Sequence, residues 1–231
     1  MSVLAKVCGV MTPRGARIVD GAGADFMGVI LSPGFGRSVD PGCAAEIYGA
    51  SGARRVGVFV DAGTERVADL AGELALNVVQ LSGDEPPRLV AEIAASGPWR
   101  VWKTVHARPG LSIARAAARY AEVAGGILVD AWDPSAPGGT GRTFAWAGTG
   151  GRVRAAIGSA TFIAAGGMTP ENAAAAVAAL SPDVLDVSSG VESSPGTKDA
   201  ARTAAFVQAV RTAGAAAGLA DSPSRLAGDR P

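Results

Sequence analysis

Eight short runs of apolar and β-branched residues recur along the chain, and segments with helix signals separate them. Runs that are apolar throughout, rather than alternating, are typical of parallel strands buried on both faces. Eight strand–helix units in about 215 residues predict a single closed (β/α)8 TIM barrel, an α/β fold of about 250 residues in its usual form. The main alternative is an open doubly wound sheet, which eight regular units without a second domain disfavour. The predicted strands are Leu4–Cys8, Phe26–Leu31, Arg55–Val60, Val78–Ser82, Val101–His106, Ile127–Asp130, Phe162–Ala165 and Val184–Ser188.

Capping signals predict where three of the helices begin. Thr12, Asp40 and Thr169 each precede a proline, and a side-chain oxygen followed by proline is a typical helix start. The sixth unit is the weakest, because three glycines between Trp146 and Ile157 delay its helix.

The end of the periodic pattern sets the predicted domain boundary. We expect residues 1–214 to form the catalytic barrel domain and residues 215–231, which lack periodicity, to form a flexible C-terminal tail.

Charge balance and composition exclude several classes of protein. The 231 residues include 21 Lys and Arg against 21 Asp and Glu, so no net charge attracts nucleic acid or an anionic membrane. Two cysteines and one histidine are too few for a disulfide framework or a typical zinc site, so we expect no metal. No apolar run reaches the ~18 residues of a membrane span, and the N-terminal run is too short for a signal peptide. We therefore expect a cytoplasmic protein without a nucleic-acid or membrane partner.

Two polar residues at strand ends are the candidate catalytic pair, because catalytic groups of such barrels follow the carboxyl ends of strands. Cys8 shares one face of its strand with Leu4 and Lys6, so it reaches the barrel mouth if Lys6 points inward. Asp130 shares a face with Leu128, where a carboxylate is costly to bury without a task. Strands one and six lie well apart in the ring, so the two groups could transfer protons from opposite sides of a ligand. The alternatives are a packed thiol and a capping aspartate.

Small residues after the last two strands predict a phosphate site. Gly166-Gly167 and Ser188-Ser189-Gly190 offer bare backbone N–H groups in the loops that bind phosphate in many barrels. Arg37, in a glycine-rich loop, could hold a carboxylate in a bidentate fork or be an ordinary surface residue. The GGTGRT segment at 138–143 lacks the spacing of a nucleotide-binding loop and is predicted to be a mobile lid.

Three other residues give weaker functional signals. Lys103 lies in mid-strand, where a structural ion pair is expected rather than a Schiff base. His106 ends the fifth strand and could touch a ligand. Cys43 lies in the second helix and is expected to be a packing residue.

Together, these residues make the chain resemble the phosphoribosylanthranilate isomerase family over roughly residues 4–211. The most specific blocks are GGTGRTF and the run LDVSSGVESSPGTKD at 185–199. The other blocks are KVCG at 6–9, GADFMGVILSP at 23–33 followed by Arg37, VGVFV at 56–60, VQLSGDE at 79–85, ILVDAW at 127–132 and AAGGMTPEN at 164–172.

The resemblance implies an isomerase of tryptophan biosynthesis without metal or organic cofactor. Its reaction is the Amadori rearrangement of N-(5-phosphoribosyl)anthranilate to 1-(2-carboxyphenylamino)-1-deoxyribulose 5-phosphate. By this resemblance Asp130 matches the general acid that opens the furanose ring, and Cys8 matches the general base that removes the proton from C2. The ligand would be a small phosphorylated aminosugar, and the protein a monomer or homodimer. Arg37 matches a residue near the anthranilate carboxylate, Gly166, Gly167, Ser189 and Gly190 match the phosphate loops, and Asp186 lies close by.

Several positions depart from the family pattern and keep the substrate open. Ser82 stands where the family usually has His, Ser38 where it has an aromatic residue, Met11 where it has Thr and Ala145 where it has Asp. Arg142 replaces a usual Lys. One alternative is a paralogous barrel isomerase for another aminated or phosphorylated sugar in specialised metabolism. Another is a non-catalytic binder of phosphate ligands.

A related indole-forming synthase would need a catalytic Lys–Glu array at the mouth. The strand lysines, Lys6 and Lys103, show no evident carboxylate partner in the sequence, which disfavours that activity.

Overall fold

The computed structural model describes residues 2–131 and 145–218. Eight parallel strands close into a barrel in chain order, which confirms the predicted TIM barrel. Every predicted run agrees with an observed strand to within one residue at each end. The strands are β1 (Leu4–Val7), β2 (Phe26–Ile30), β3 (Arg54–Phe59), β4 (Val78–Leu81), β5 (Arg100–Ala107), β6 (Gly126–Ala131), β7 (Thr161–Ala164) and β8 (Val184–Val187).

The helices follow the strands as the pattern predicts, and two of the three predicted starts are correct. The Thr12 side chain accepts a hydrogen bond from Gly15 N, and the Asp40 side chain accepts one from Cys43 N. The sixth helix starts late, at Thr149, after a left-handed Gly148. The helices are α1 (Pro13–Gly21), α2 (Pro41–Gly49), α3 (Thr64–Glu73), α4 (Pro87–Ala95), α5 (Ile113–Ala118), α6 (Thr149–Ile157), α7 (Ala173–Leu180) and α8 (Ala200–Ala216).

The predicted start at Thr169-Pro170 is wrong, because α7 begins only at Ala173. The Asn172 side chain accepts a hydrogen bond from Thr169 N and donates one to the Gly167 carbonyl oxygen, at 2.8 Å each. Thr169 Oγ1 also accepts a hydrogen bond from Asn172 N at 3.3 Å, and its carbonyl oxygen accepts one from Ala173 N at 3.1 Å. The threonine therefore closes a turn directly ahead of α7, and the regular helix starts after that turn.

An apolar layer closes the lower part of the barrel interior. Phe26 and Trp102 pack edge to face inside it, with ring centroids 5.0 Å apart. Lys6 points into the barrel, fully buried, which meets the condition under which Cys8 reaches the barrel mouth. The interior layer consists of Phe26, Val56, Val78, Trp102, Leu128, Ile163, Ala165 and Val184. Because this layer fills the interior, a ligand can bind only above it, at the carboxyl ends of the strands.

A small antiparallel hairpin of β9 (Glu192–Ser194) and β10 (Thr197–Lys198) connects β8 to α8. The last helix extends to Ala216, two residues past the predicted domain end at residue 214. The predicted lid at 138–143 and residues 219–231 of the predicted tail lie outside the described residues. In the part of the chain that is described, no helix is long and apolar enough to cross a bilayer.

Candidate active site

One cavity opens at the carboxyl ends of the strands, and every strand of the barrel or the loop after it contributes to its wall. The cavity brings together most of the candidate residues from the sequence, including Cys8, Asp130 and Asp186. Its lining residues are Cys8, Ile30, Phe35, Gly36, Arg37, Val58, Val60, Gln80, Ser82, His106, Leu128, Asp130, Ala165, Gly166, Gly167, Met168, Asp186, Ser188 and Ser189.

The two candidate proton-transfer groups face this cavity from different sides. Cys8 directly follows β1 and Asp130 lies on β6, and β7 and β8 separate these strands in the closed ring. The positions that period-two alternation predicted for both side chains are therefore correct. A ligand in the cavity lies between a thiol and a carboxyl group.

Burial changes the acidity of the Asp130 carboxyl group. Loss of solvent raises its pKa to about 7, and the Asp186 carboxylate raises it as well, whereas the Ala131 backbone and the Lys6 ammonium group lower it. At neutral pH this carboxyl group is protonated in a large fraction of molecules, which a general acid requires.

The Cys8 thiol is surrounded by charges of both signs. Burial raises its pKa, the Lys6 ammonium group lowers it, the Asp186 carboxylate raises it and the Lys198 ammonium group lowers it. The net pKa of the thiol is raised, so the thiolate is a minor species at neutral pH. The two buried ammonium groups are the features that stabilise this thiolate when it forms.

Lys6 and Asp186 form a buried ion pair beneath the cavity. Lys6 Nζ donates a 2.8 Å hydrogen bond to Asp186 Oδ2. Burial lowers the pKa of the Lys6 ammonium group, but the Asp186 carboxylate, together with the Cys8 thiolate when it forms, more than offsets this and the pKa is raised. The other carboxylate oxygen, Asp186 Oδ1, is buried without a hydrogen-bond partner within the described residues. It is a ready acceptor beside the cavity.

The loops after β7 and β8 have the backbone that the phosphate prediction requires. Gly166 and Gly167 adopt φ angles of +86° and +62°, which favour glycine and leave the loop without side chains. Ser188 and Ser189 face the same cavity. Gly190 is not among the lining residues, and a Cβ there would overlap the Met168 carbonyl group. Glycine at this position lets the loops after β7 and β8 pack closely, and the predicted place of its backbone N–H in the phosphate cradle stays a prediction.

Arg37 lines the cavity, but its fork already holds a carboxylate of the protein itself. Its Nε donates to Glu192 Oε1 at 2.9 Å and its Nη2 donates to Glu192 Oε2 at 2.8 Å. The sequence interpretation missed Glu192, and with it the buried Lys198 that pairs with the same carboxylate at 2.8 Å. Their signal was present in the ESSPGTK run, where an acidic and a basic residue flank a Pro-Gly turn.

Gln80 is a second lining residue that the sequence interpretation missed. Alternation along β4 places it on the face of Val78 and Ser82, and that pattern could have identified it. Its Nε2 donates a 3.1 Å hydrogen bond to Ser82 Oγ, and that hydroxyl lies 2.9 Å from Thr104 Oγ1.

His106 Nε2 lies 3.1 Å from the Ser82 carbonyl oxygen. Burial lowers the pKa of this imidazole, so it is neutral at physiological pH.

The departures from the family pattern fall mostly outside the cavity. Ser82 lines it, whereas Ser38, Met11 and Ala145 do not. The Ser38 hydroxyl accepts a hydrogen bond from Phe35 N and donates to the Ser32 carbonyl oxygen, so it shapes the loop after β2.

Both strand lysines have carboxylate partners, which corrects the sequence interpretation. Lys103 Nζ lies 3.0 Å from Glu85 Oε2 in a buried pair and donates to the Gly83 carbonyl oxygen at 2.8 Å. This confirms a structural ion pair at Lys103. Lys6, Lys103 and Glu85 are all absent from the cavity lining, so the mouth lacks their Lys–Glu array.

Cys43 is partly buried against the core, as expected of a packing residue. Within the described residues, no group of His, Cys, Asp and Glu could hold a metal ion.

Comparison with known proteins identifies close relatives of the whole barrel. The family model of N-(5'-phosphoribosyl)anthranilate (PRA) isomerase matches residues 5–209. The N-(5'-phosphoribosyl)anthranilate isomerase of Moorella thermoacetica is 41% identical over 215 residues, which cover 91% of each chain. The dimeric phosphoribosylanthranilate isomerase of Thermotoga maritima, solved as mutually generated monomers, superposes with a TM-score of 0.78 at 32% identity over 91% of this chain and 99% of that chain. A phosphoribosyl anthranilate isomerase in complex with reduced 1-(o-carboxyphenylamino)-1-deoxyribulose 5-phosphate superposes with a TM-score of 0.77 at 31% identity, over the same shares.

Proposed function

The chain belongs to the N-(5'-phosphoribosyl)anthranilate isomerase family, and we propose that Cys8 and Asp130 carry out the proton transfers of that isomerisation. The chain is an intramolecular aldose–ketose isomerase of tryptophan biosynthesis, as the sequence predicted. The observation that carries the assignment of the two residues is their placement on different sides of one cavity.

The chemistry needs one proton donor and one proton acceptor. The Asp130 carboxylic acid gives its proton to the furanose ring oxygen while the bond from that oxygen to C1 breaks, which leaves a protonated Schiff base. The Cys8 thiolate then removes the proton from C2, and the electron pair of that C–H bond forms the enolamine. Transfer of the C2 hydroxyl proton and protonation of C1 give the ketone. No electrons enter or leave, so the steps need no redox partner.

The ring order of the strands suggests how the substrate lies. The phosphate group binds at the glycine loops after β7 and β8, where bare N–H groups are available. Across the barrel, β2, β3 and the loops that follow them supply an apolar wall of Ile30, Phe35, Val58 and Val60, which suits the aromatic ring of the anthranilate. The pentose then lies between Cys8 and Asp130. Arg37, on the loop after β2, is in reach of the anthranilate carboxylate, and Asp186 Oδ1 can accept a hydrogen bond from a sugar hydroxyl group.

A complementation experiment tests this proposal. A tryptophan auxotroph that lacks this isomerase should grow with the wild-type chain and fail to grow with Asp130→Asn or Cys8→Ser. Cys43→Ser and Asp84→Asn are matched controls outside the cavity and should restore growth, since the Asp84 side chain is 80% exposed. A soluble, folded wild-type chain that fails to restore growth would instead favour action on another sugar phosphate or non-catalytic binding.

Three further expectations accompany this function. We propose that residues 1–214 hold the whole site and that residues 215–231 are a dispensable tail. Since α8 ends at Ala216, a chain that stops at Gly218 should keep full kcat/KM. We propose a monomer or homodimer, which sedimentation will distinguish, and a cytoplasmic location.

A further inference from the structure

The β9–β10 hairpin carries a buried carboxylate that two cations share. Glu192 and Lys198 are cross-strand partners in the hairpin. The Glu192 carboxylate accepts hydrogen bonds from both Arg37 and Lys198, over 2.8 to 2.9 Å. The side chains of Glu192 and Lys198 are 4% and 1% exposed, whereas that of Arg37 is 18% exposed. The carboxylate is therefore enclosed, and Arg37 alone of the three reaches the cavity.

Glu192 is fixed and ionised in this position. Burial raises the pKa of its carboxyl group, but the hydrogen bonds from Arg37 and Lys198 outweigh burial and bring the pKa to about 2. Lys198 Nζ also donates to the carbonyl oxygen of Ser188, a lining residue. The hairpin is thereby anchored to the cavity wall at the end of β8.

Arg37 passes close to the candidate base. Gly9 directly follows Cys8, and a Cβ at Gly9 would lie 2.7 Å from Arg37 Cδ and 3.0 Å from Ser188 Oγ. The aliphatic part of Arg37 thus packs against the bare backbone of Gly9, and Glu192 accepts hydrogen bonds from two of its guanidinium nitrogens. The two hydrogen bonds of such a bidentate pair fix the plane of a guanidinium group, whereas a free Arg side chain has many rotamers.

We propose that Glu192 is a positioning residue that presents Arg37 to the carboxylate of the substrate. The inference rests on the proposed function, because it assumes that Arg37 meets that carboxylate. A guanidinium group already ordered by Glu192 loses little conformational entropy when the substrate binds. Lys198 neutralises part of the negative charge of Glu192, so that Arg37 keeps enough positive charge to attract another anion. The hairpin is therefore part of the binding site although Glu192 and Lys198 do not line the cavity.

Two product analogues and one substitution test the proposal. The analogues are the reduced 1-(o-carboxyphenylamino)-1-deoxyribulose 5-phosphate and the same molecule without its carboxylate. Glu192→Gln should weaken binding of the first about tenfold, the value of one hydrogen bond to a charged group, and leave binding of the second unchanged. KM should rise by a similar factor while kcat changes by less than about threefold, because the lost interaction holds the ground state and the transition state alike. Glu92→Gln, which breaks an exposed Arg–Glu pair on α4, should change none of these quantities.

Each alternative result contradicts the proposal in a distinct way. Equal weakening of both analogues would show a general structural role for Glu192. Tighter binding of the carboxylate analogue would show that Glu192 competes with substrate for Arg37. If Glu192→Gln does not fold, Glu192→Asp keeps the charge, shortens the side chain and should give the same selective loss. Failure of the wild-type chain to bind either analogue would reject the proposed function itself.

Discussion

Lys6 and Asp186 are cross-strand partners on β1 and β8, and their charged groups meet at 2.8 Å inside the barrel. Such a pair loses the hydration of both ions, so it contributes little net stability compared with an apolar pair of the same size. What the pair does provide is a fixed ammonium group beside Cys8, where it lowers the pKa of the thiol. We therefore interpret the pair as part of the catalytic apparatus.

Lys6→Met should separate these two roles. The substitution leaves the Asp186 charge buried without its partner, which should lower the free energy of unfolding by about 3–5 kcal/mol in urea titrations. The double variant Lys6→Met/Asp186→Asn should recover most of that stability but keep a low kcat/KM, because Cys8 still lacks the Lys6 ammonium group and Lys198 alone lowers the pKa of its thiol less. A double variant with wild-type kcat/KM would reject the catalytic interpretation.

Asp130→Asn should abolish activity and stabilise the protein at alkaline pH. The folded-state pKa of about 7 lies above the unfolded value, so the favourable contribution is complete below about pH 4 and is lost as pH rises through 7. The amide cannot ionise and avoids this loss. We expect Asp130→Asn to be more stable than the wild type by about 2 kcal/mol at pH 8, discounted for partial solvation, with no such gain at pH 4. An equal difference in unfolding free energy between the variant and the wild type at pH 4 and at pH 8 would show that ionisation of Asp130 does not cause the pH-dependent loss of stability.

The reactivity of Cys8 reports its ionisation directly. In a Cys43→Ser background Cys8 is the one remaining cysteine, and iodoacetamide reacts with its thiolate. Because burial raises the pKa of this thiol, the alkylation rate should still be rising above about pH 8.5, the usual value for a free cysteine. The urea-unfolded chain provides the reference curve. A plateau in the folded protein near neutral pH would show that the nearby ammonium groups outweigh burial.

The value of kcat/KM should increase as pH rises through 7, although the reaction needs Asp130 protonated. In the active form Asp130 is protonated and Cys8 is ionised, so the two residues together hold one proton. Among all molecules in which Asp130 and Cys8 share one proton, this active form is a constant fraction. That population grows as pH rises through the pKa of about 7 and declines only above the raised pKa of the thiol. Rates of the free enzyme at limiting substrate concentration measure this profile. Activity that falls as pH rises through 7 would show that Cys8 is already ionised there.

Local patterns along the chain were enough to predict the barrel and most of the cavity. The apolar runs set the strands, and the strand-end rule placed Cys8, Asp130, Gly166 and Gly167 at one mouth. Arg37 was placed correctly, but its partner was not, because the Arg37–Glu192 contact joins segments 155 residues apart and depends on the angle of the hairpin. The start of α7 was missed because reciprocal hydrogen bonds between Thr169 and Asn172 close a separate turn before the regular helix begins.

Gly167→Ala tests the phosphate cradle. A methyl group at φ +62° strains the backbone and fills the space where an anion would meet bare N–H groups. KM should rise at least about tenfold, and inorganic phosphate should lose most of its strength as a competitive inhibitor. Gly110→Ala is the matched control: its φ of +75° imposes similar strain, its Cβ meets open space and it lies outside the cavity lining. Both variants should lose about 1 kcal/mol of stability, so only the change in phosphate affinity separates them. Equal inhibition of both variants by phosphate would place the phosphate group elsewhere in the cavity.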